Sequence, residues 1–203
     1  MCEVGARLWE VGLVGAREGN LSARISDDRI LCTPSGCCLG RLSMVDLVTI
    51  DRKGGSSDGR VPSSEIGIHL RAYDRREDCR AVVHAHPLTA TGFSVACADF
   101  PDNVLPESAM VLGRVMRLPY AVPGSPQVAD GLDPYLADHK TFLLSNHGAM
   151  TLGLNLYDAC DRMETLERVA KILFVAKSLG NVNPMPETAF ESLAATALTG
   201  RLD

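Results

Sequence analysis

The sequence predicts an α/β fold, a three-layer α/β/α arrangement with a largely antiparallel central sheet sandwiched by helices. Three observations point there. Short apolar runs such as "RAVVHAH" and "TFLLSNHGAMTLG" have the length and bounding turns of strands. Hairpin signals join neighbouring strands, which makes most pairings antiparallel. The stretch "NLYDACDRMETLERVAKILFVAKSLG" places Leu156, Ala159, Met163, Leu166, Val169, Ala170 and Leu173 on one side of a long helix that needs a sheet to cover.

Residues 2–16 carry Val4, Leu8, Val11 and Leu13 at mostly helical intervals, so a first helix is expected there, ending before the turn at Gly19-Asn20. "LSARI" and "RILCT" flank "SDD" as a hairpin, "TPSG" is a turn, and "DLVTID" is a further strand. The Gly/Ser-rich "RKGGSSDGRV" is short and polar, a hairpin tip rather than a linker. "PSSEIGIHLRAYDRRED" opens with Pro62, Ser63 and Ser64, where a serine N-cap would start a helix. "RAVVHAH" follows as a buried strand and "PLTATGFSVAC" as a helix; "VMRLPYAVPGSP" is a strand and turn, and "PQVADGLDPYLAD" a helix. "TFLLSNHGAMTLG" reads as two strands meeting at Asn146-His147-Gly148. Beyond the long helix, a tail with Pro184 and Pro186 leads to a short helical segment. With no internal repeat or low-complexity tract, residues 1–203 are expected to form one domain.

Composition narrows the function classes. Hydrophobic residues make up 46% and charged residues 22%, as in ordinary soluble globular proteins. A net charge of −5 with scattered arginines gives no support for a nucleic-acid partner. No stretch approaches the ~20 apolar residues of a membrane span. Seven cysteines form no repeating framework, and the early charges of "MCEVGARLWE" do not suit a secretion signal, so a reducing cytoplasmic location is expected. Cys37 and Cys38 are adjacent, not a CxxC pair, and read as structural or incidental.

"VVHAHP" carries the chemistry. In a strand, side chains alternate between faces, so His84 and His86 emerge on the same one. A lone His-x-His is a weak signal, since one ring can be a satisfied core residue and the other exposed. His147 adds to it, at the polar elbow of another apolar strand, as does Glu65 near a helix start. Three histidines and a glutamate, each at an element edge, fit a three-nitrogen zinc site with a movable carboxylate and an open position. His69, one turn beyond Glu65, and His139, in "ADHK", are given structural roles. "EGN", "TPSG" and "PSS" are small-residue turns, singly no more than turns or caps. Gathered near Glu65, they would form an anion cradle of N–H groups and hydroxyls beside a metal.

Taken together, "GNLSARI", "LCTPSG", "PSSEIGIHLRAY", "AVVHAHP" and "LLSNHGAM" stand in an order that resembles the class II aldolase/adducin-head family, over about Val4 to Leu179. The nineteen residues from Glu65 to His84 match the spacing of its bacterial L-fuculose-1-phosphate aldolase branch. The resemblance implies an α/β/α enzyme with one zinc per subunit, a homotetramer whose active sites lie between subunits, and a small sugar phosphate as substrate. It implies that His84, His86 and His147 bind zinc, and that Glu65 is a ligand at rest and the acid/base in turnover. Asn20, Gly36, Ser63 and Ser64 would hold the phosphate, with Gly19 and Ser35 shaping or joining that pocket. The implied reaction is reversible cleavage of a ketose 1-phosphate, such as L-fuculose 1-phosphate, to dihydroxyacetone phosphate and L-lactaldehyde. Epimerases, dehydratases and decarboxylases of the same family are the alternatives; glutamate at 65, where the epimerase branch has aspartate, favours the aldolase. A non-catalytic interaction module would be expected to lack the metal histidines. A Schiff-base route is disfavoured because Lys53, Lys140, Lys171 and Lys177 all lie in polar surroundings. Two departures stand out. The branch's proton-donating tyrosine falls in the segment that here reads "DNVLPESAMVLG", which has none, nor does the tail from Leu179 to Asp203; Glu107 and Tyr120 are the candidate replacements. Arg17 stands where the branch has a small hydroxyl residue.

Overall fold

A computed structural model describes residues 1–199. Its seven-stranded sheet comprises β1 (Asn20–Arg24), β2 (Ile30–Cys32), β3 (Val48–Ile50), β4 (Ala81–Ala85), β5 (Val115–Leu118), β6 (Thr141–Leu144) and β7 (Gly148–Gly153), in the order β3-β2-β1-β4-β7-β6-β5. Every pairing is antiparallel except β5 with β6, so the expected sheet is the observed one. All five residues of the central strand β4 are buried, as its unbroken apolar run requires.

Alternation along β4 sorts the two cores. Ala81, Val83 and Ala85 pack with Leu8, Met163, Leu166 and Leu173, beneath α1 (Cys2–Glu10), α3 (Leu88–Val95) and α5 (Leu156–Leu179). Val82 packs on the other face with Ile68, Tyr73, Leu132 and Phe142, beneath α2 (Ile66–Arg75) and α4 (Pro126–Leu132). Helices on both faces complete the three layers.

Several boundaries differ from expectation. The first helix ends at Glu10 rather than Ala16. Gly12 takes a left-handed φ of 73°, its N–H donates to Trp9 O, and the Leu13 N–H reaches back to Leu8 O. That is a Schellman stop, and the helical spacing of Val11 and Leu13 concealed it. α2 begins at Ile66, four residues after Pro62, with Glu65 rather than a serine in the N-cap position. The segment before it stays extended because Pro62 bridges Pro34 and the Ser63 N–H donates to Thr33 O. α4 stops at Leu132, just ahead of Pro134, which has no N–H to continue it. A π-helical turn at Ser108–Leu112 had no sequence signal. The helical tail is thirteen residues long, α6 (Glu187–Thr199), and Phe190 anchors it with the Arg114 guanidinium 4.1 Å from its ring centroid.

One buried carboxylate organises the sheet end that matters below. Glu167 of α5 is 4% exposed and accepts the N–H groups of Thr89 and Ala90 at 3.0–3.1 Å. Pro87 offers no side-chain cap, so Glu167 supplies the anion that the N-terminus of α3 lacks. This fixes α3 immediately after His86.

Candidate metal centre and anion cleft

Two distant segments, β4 with the residue that follows it and the β6–β7 hairpin, bring three imidazoles together. His84 on β4 lies between Asn20 of β1 and Met150 of β7. Its Nδ1–H donates to Ala149 O at 2.9 Å, which orients the ring and turns Nε2 toward the cleft. His86 is one residue past the strand, and its backbone N–H is held by Leu13 O, just beyond the Schellman turn of α1. Its Nε2 lies 3.2 Å from that of His84. His147 sits at the tip of the β6–β7 hairpin, where Asn146 takes a left-handed φ of 55° and the His147 N–H closes the turn onto Leu144 O. The three ring centroids are 4.7–5.1 Å apart, and one nitrogen from each ring lies within 4.8 Å of the other two. Converging imidazoles without a thiol suit a borderline divalent cation such as zinc.

Glu65 closes the cluster, its Oε2 and Oε1 each 3.1 Å from Nε2 of His84 and of His147 respectively. Burial resists its ionisation, but hydrogen bonds from His147 and His84 outweigh burial and hold the carboxyl well below the usual carboxylate range. Burial, then the nearby His84 and His147, lower His86 to about 4, which leaves it in the neutral, ligating form. Nε2 of His84 and of His147 thus face both the Glu65 carboxylate and the centre of the cluster.

The small-residue turns do gather here. The Pro34–Pro62 bridge and the Ser35 N–H to Val61 O bond lay "TPSG" beside "PSS". The resulting cleft is lined by Gly19, Asn20, Gly36, Ser63, Ser64 and Glu65, together with Arg17, Glu18, Pro34, Cys37 and His86. Gly19 and Gly36 both have positive φ, and a Cβ on Gly19 would stand 2.7 Å from His84 O. Ser35 is exposed and does not line the cleft; its N–H holds the loop to Val61 O. Asn20 is 4% exposed and already engaged, its Nδ2 donating to Glu65 Oε2 at 3.1 Å. Arg17 has no acidic partner among the described residues and brings a cation to the cleft wall, while Cys37, read as structural or incidental, is a lining residue that no sequence signal marked.

Of the two candidate tyrosine replacements, Tyr120 lines a neighbouring cleft with Ser145 and His147, whereas Glu107 lines neither cleft. No lysine lines them either. His139 bonds Tyr135 O, away from the cluster. His69 is fully buried, between Ser22 and Asn20. Burial and then the charge of His84 lower it to about 3, against a smaller opposing effect of Glu65. The unfolded chain, with histidine near ~6.5, therefore binds more protons than the native state between those values. His69's contribution is complete above about pH 6.5 and is lost as pH falls toward 3, on the order of 4 kcal/mol over the window. Urea denaturation of wild type and His69→Gln at a series of pH values should show the acid limb of stability flattened in the variant; parallel limbs would contradict it.

The chain is similar to several known proteins. The family described as Class II Aldolase and Adducin N-terminal domain matches residues 1–174. The chain is 38% identical over 178 residues to the 3-oxo-tetronate 4-phosphate decarboxylase of Haemophilus influenzae, covering 86% of this chain and 85% of the relative. It is 33% identical to an L-fuculose phosphate aldolase of Methanococcus maripaludis, covering 83% and 87%. A solved L-fuculose 1-phosphate aldolase superposes with a TM-score of 0.89 at 30% identity, covering 96% of this chain and 92% of that one. No helix among the described residues is long and apolar enough to cross a membrane.

Proposed function

The chain belongs to the class II aldolase and adducin N-terminal domain family, and from that premise we propose that it is a zinc-dependent decarboxylase of a 3-oxo sugar acid phosphate of the 3-oxo-tetronate 4-phosphate kind. The observation that carries this reading is the Glu65–His84–His86–His147 cluster opening onto the serine- and glycine-lined anion cleft, in a chain that lacks the branch tyrosine. A zinc ion on the three imidazoles would supply Lewis-acid stabilisation of the negative charge that develops on the substrate's ketone oxygen.

The chain's own residues do the rest. Ser63, Ser64, Gly36 and Arg17 bind the phosphate end and set the reacting carbons at a fixed distance from Glu65. In the substrate the bond between the carboxylate carbon and C2 breaks, carbon dioxide leaves, and the electron pair remains on C2 as an enolate of the C3 ketone. The Glu65 carboxylate, ionised at rest, takes up one proton from solvent once it leaves the His84 and His147 nitrogens and delivers it to C2, giving dihydroxyacetone phosphate. Aldol cleavage of a ketose 1-phosphate leaves the same three-carbon fragment but must also strip a proton from the hydroxyl that becomes the aldehyde. Loss of carbon dioxide has no such proton, which suits a chain with no tyrosine in "DNVLPESAMVLG". The higher identity to the decarboxylase than to the aldolase named above supports the same reading.

Aldol cleavage of a substrate such as L-fuculose 1-phosphate is the second reading, favoured by one observation: Tyr120 shares a cleft with His147. The two separate in one experiment. Zinc-loaded protein is given each substrate, with dihydroxyacetone phosphate, carbon dioxide and aldehyde measured separately. The expected result is dihydroxyacetone phosphate with equimolar carbon dioxide from the oxo acid, abolished by a chelator and restored by zinc. A higher kcat/KM on the ketose, with aldehyde released, would replace this reading by the second; turnover of neither would remove both.

A further inference from the structure

We propose that His69, neutral and protonated on Nε2, is a positioning residue that locks the Asn20 side-chain amide with its NH2 group facing Glu65. The proposal rests on Glu65 being the acid/base of the site above. It concerns a line of four buried groups that the reaction does not itself use. Asn20 and Ser22 lie two apart on β1 and so share a face; His69 and Tyr73 lie one turn apart on α2 and so share a side. Tyr73 Oη is 2.7 Å from Ser22 Oγ, which is 2.7 Å from His69 Nδ1, and His69 Nε2 is 2.6 Å from Asn20 Oδ1. Asn20 Nδ2 then reaches Glu65 Oε2. All four side chains are at most 4% exposed, so no bulk water completes or breaks the line.

The protons in this line can be assigned. Asn20 Oδ1 carries only lone pairs, so His69 Nε2 must donate to it. The ring is neutral, so Nδ1 accepts the Ser22 hydroxyl proton, and Ser22, its one proton committed, accepts from Tyr73. Burial raises the Tyr73 phenol well above its ordinary range, so Tyr73 keeps the proton it donates. Reversing the amide would require every bond in the line to reverse together. It would also set Asn20 Oδ1 against the ionised Glu65 carboxylate, two acceptors at 3.1 Å with no hydrogen between them. The line therefore has one favourable direction, and His69 transmits it. A histidine that merely filled the core would have no such linkage to the cleft.

Two measurements test this. In protein labelled with 15N-histidine, with and without added zinc at pH 7.5, long-range proton–nitrogen correlation should show His69 as the neutral Nε2–H form, with its signals identified by their loss in His69→Gln. An Nδ1–H tautomer or an imidazolium overturns the proposal. In turnover, His69→Leu should lower kcat by about 10–100-fold with a smaller change in KM, the usual range for a group that orients a reacting one. His69→Gln, whose amide can still donate to Asn20, should recover most of it. In an Asn20→Ala background the His69→Leu change should cost melting temperature but no further kcat. An equal kcat loss in both backgrounds would show that His69 acts through stability alone, and overturns the proposal. Should wild type turn over neither substrate, the functional reading fails while the tautomer still decides this one.

Discussion

Replacing Glu65 by glutamine is expected to lower kcat by about 10²–10⁴-fold while leaving the fold and the zinc content unchanged. The change is isosteric, and the amide can still take up a bond from the Asn20 NH2 group, so the cleft keeps its shape. What is lost is the ability to carry a proton. Among the described residues Glu65 alone has carboxylate oxygens within 3.1 Å of the imidazole nitrogens of both His84 and His147. Steady-state kinetics on the oxo acid phosphate, with metal analysis and a thermal melt on the same sample, check each part. Turnover within tenfold of wild type would remove Glu65 from the role given to it.

Gly148→Ala is expected to damage the site from a position that carries no chemistry. Gly148 opens β7 beside His147, and a Cβ there would stand 2.6 Å from both Ala85 O and His86 Cδ2. Ala85 is the last residue of β4 and is paired with Ala149, so the ladder resists a shift of its backbone oxygen. Strands β4 and β7 must part and the His86 ring must turn. Overpacking of this kind destabilises by about 1–3 kcal/mol, and displacing one of three ligands should weaken zinc binding by about tenfold or more. Gly67→Ala is the control: it lies in α2 with nothing near its added Cβ, and should be neutral or stabilising by up to about 1 kcal/mol. Melting temperature and zinc titration on the two variants report the comparison. Equal behaviour would mean that the close approach at Gly148 does not govern the geometry of His86.

Most of the site's residues announce themselves locally. His84 and His86 share a face by the alternation of "AVVHAHP", and His147 falls at an elbow that Asn146 makes with a left-handed turn. Glu65 stands out by its place ahead of an amphipathic helix, even though that helix starts later than its serines suggest. His69 is buried and hydrogen-bonded, as a structural role requires, but its partners could not be read locally. A histidine on the inner side of a helix has the same local pattern whether its ring is idle or bonded to a residue 49 positions earlier. The overrun of the first helix has a similar origin: apolar spacing at Val11 and Leu13 outweighed one glycine whose φ is invisible in the letters.

Chain order and residue type were enough to establish the strands, the long covering helix, the largely antiparallel sheet and the four ionisable groups at element edges, because periodicity and turn chemistry act over a few residues. Folding in three dimensions alone decided that "TPSG" lies against "PSS", that Ser35 is left out of the cleft lining, that Arg17 and Cys37 enter its wall, and that Asn20 meets His69. Those juxtapositions join segments separated by tens of residues. They arise from the packing of β1 against β4 and of α2 over the sheet, a balance of many weak contacts that no short stretch of sequence encodes.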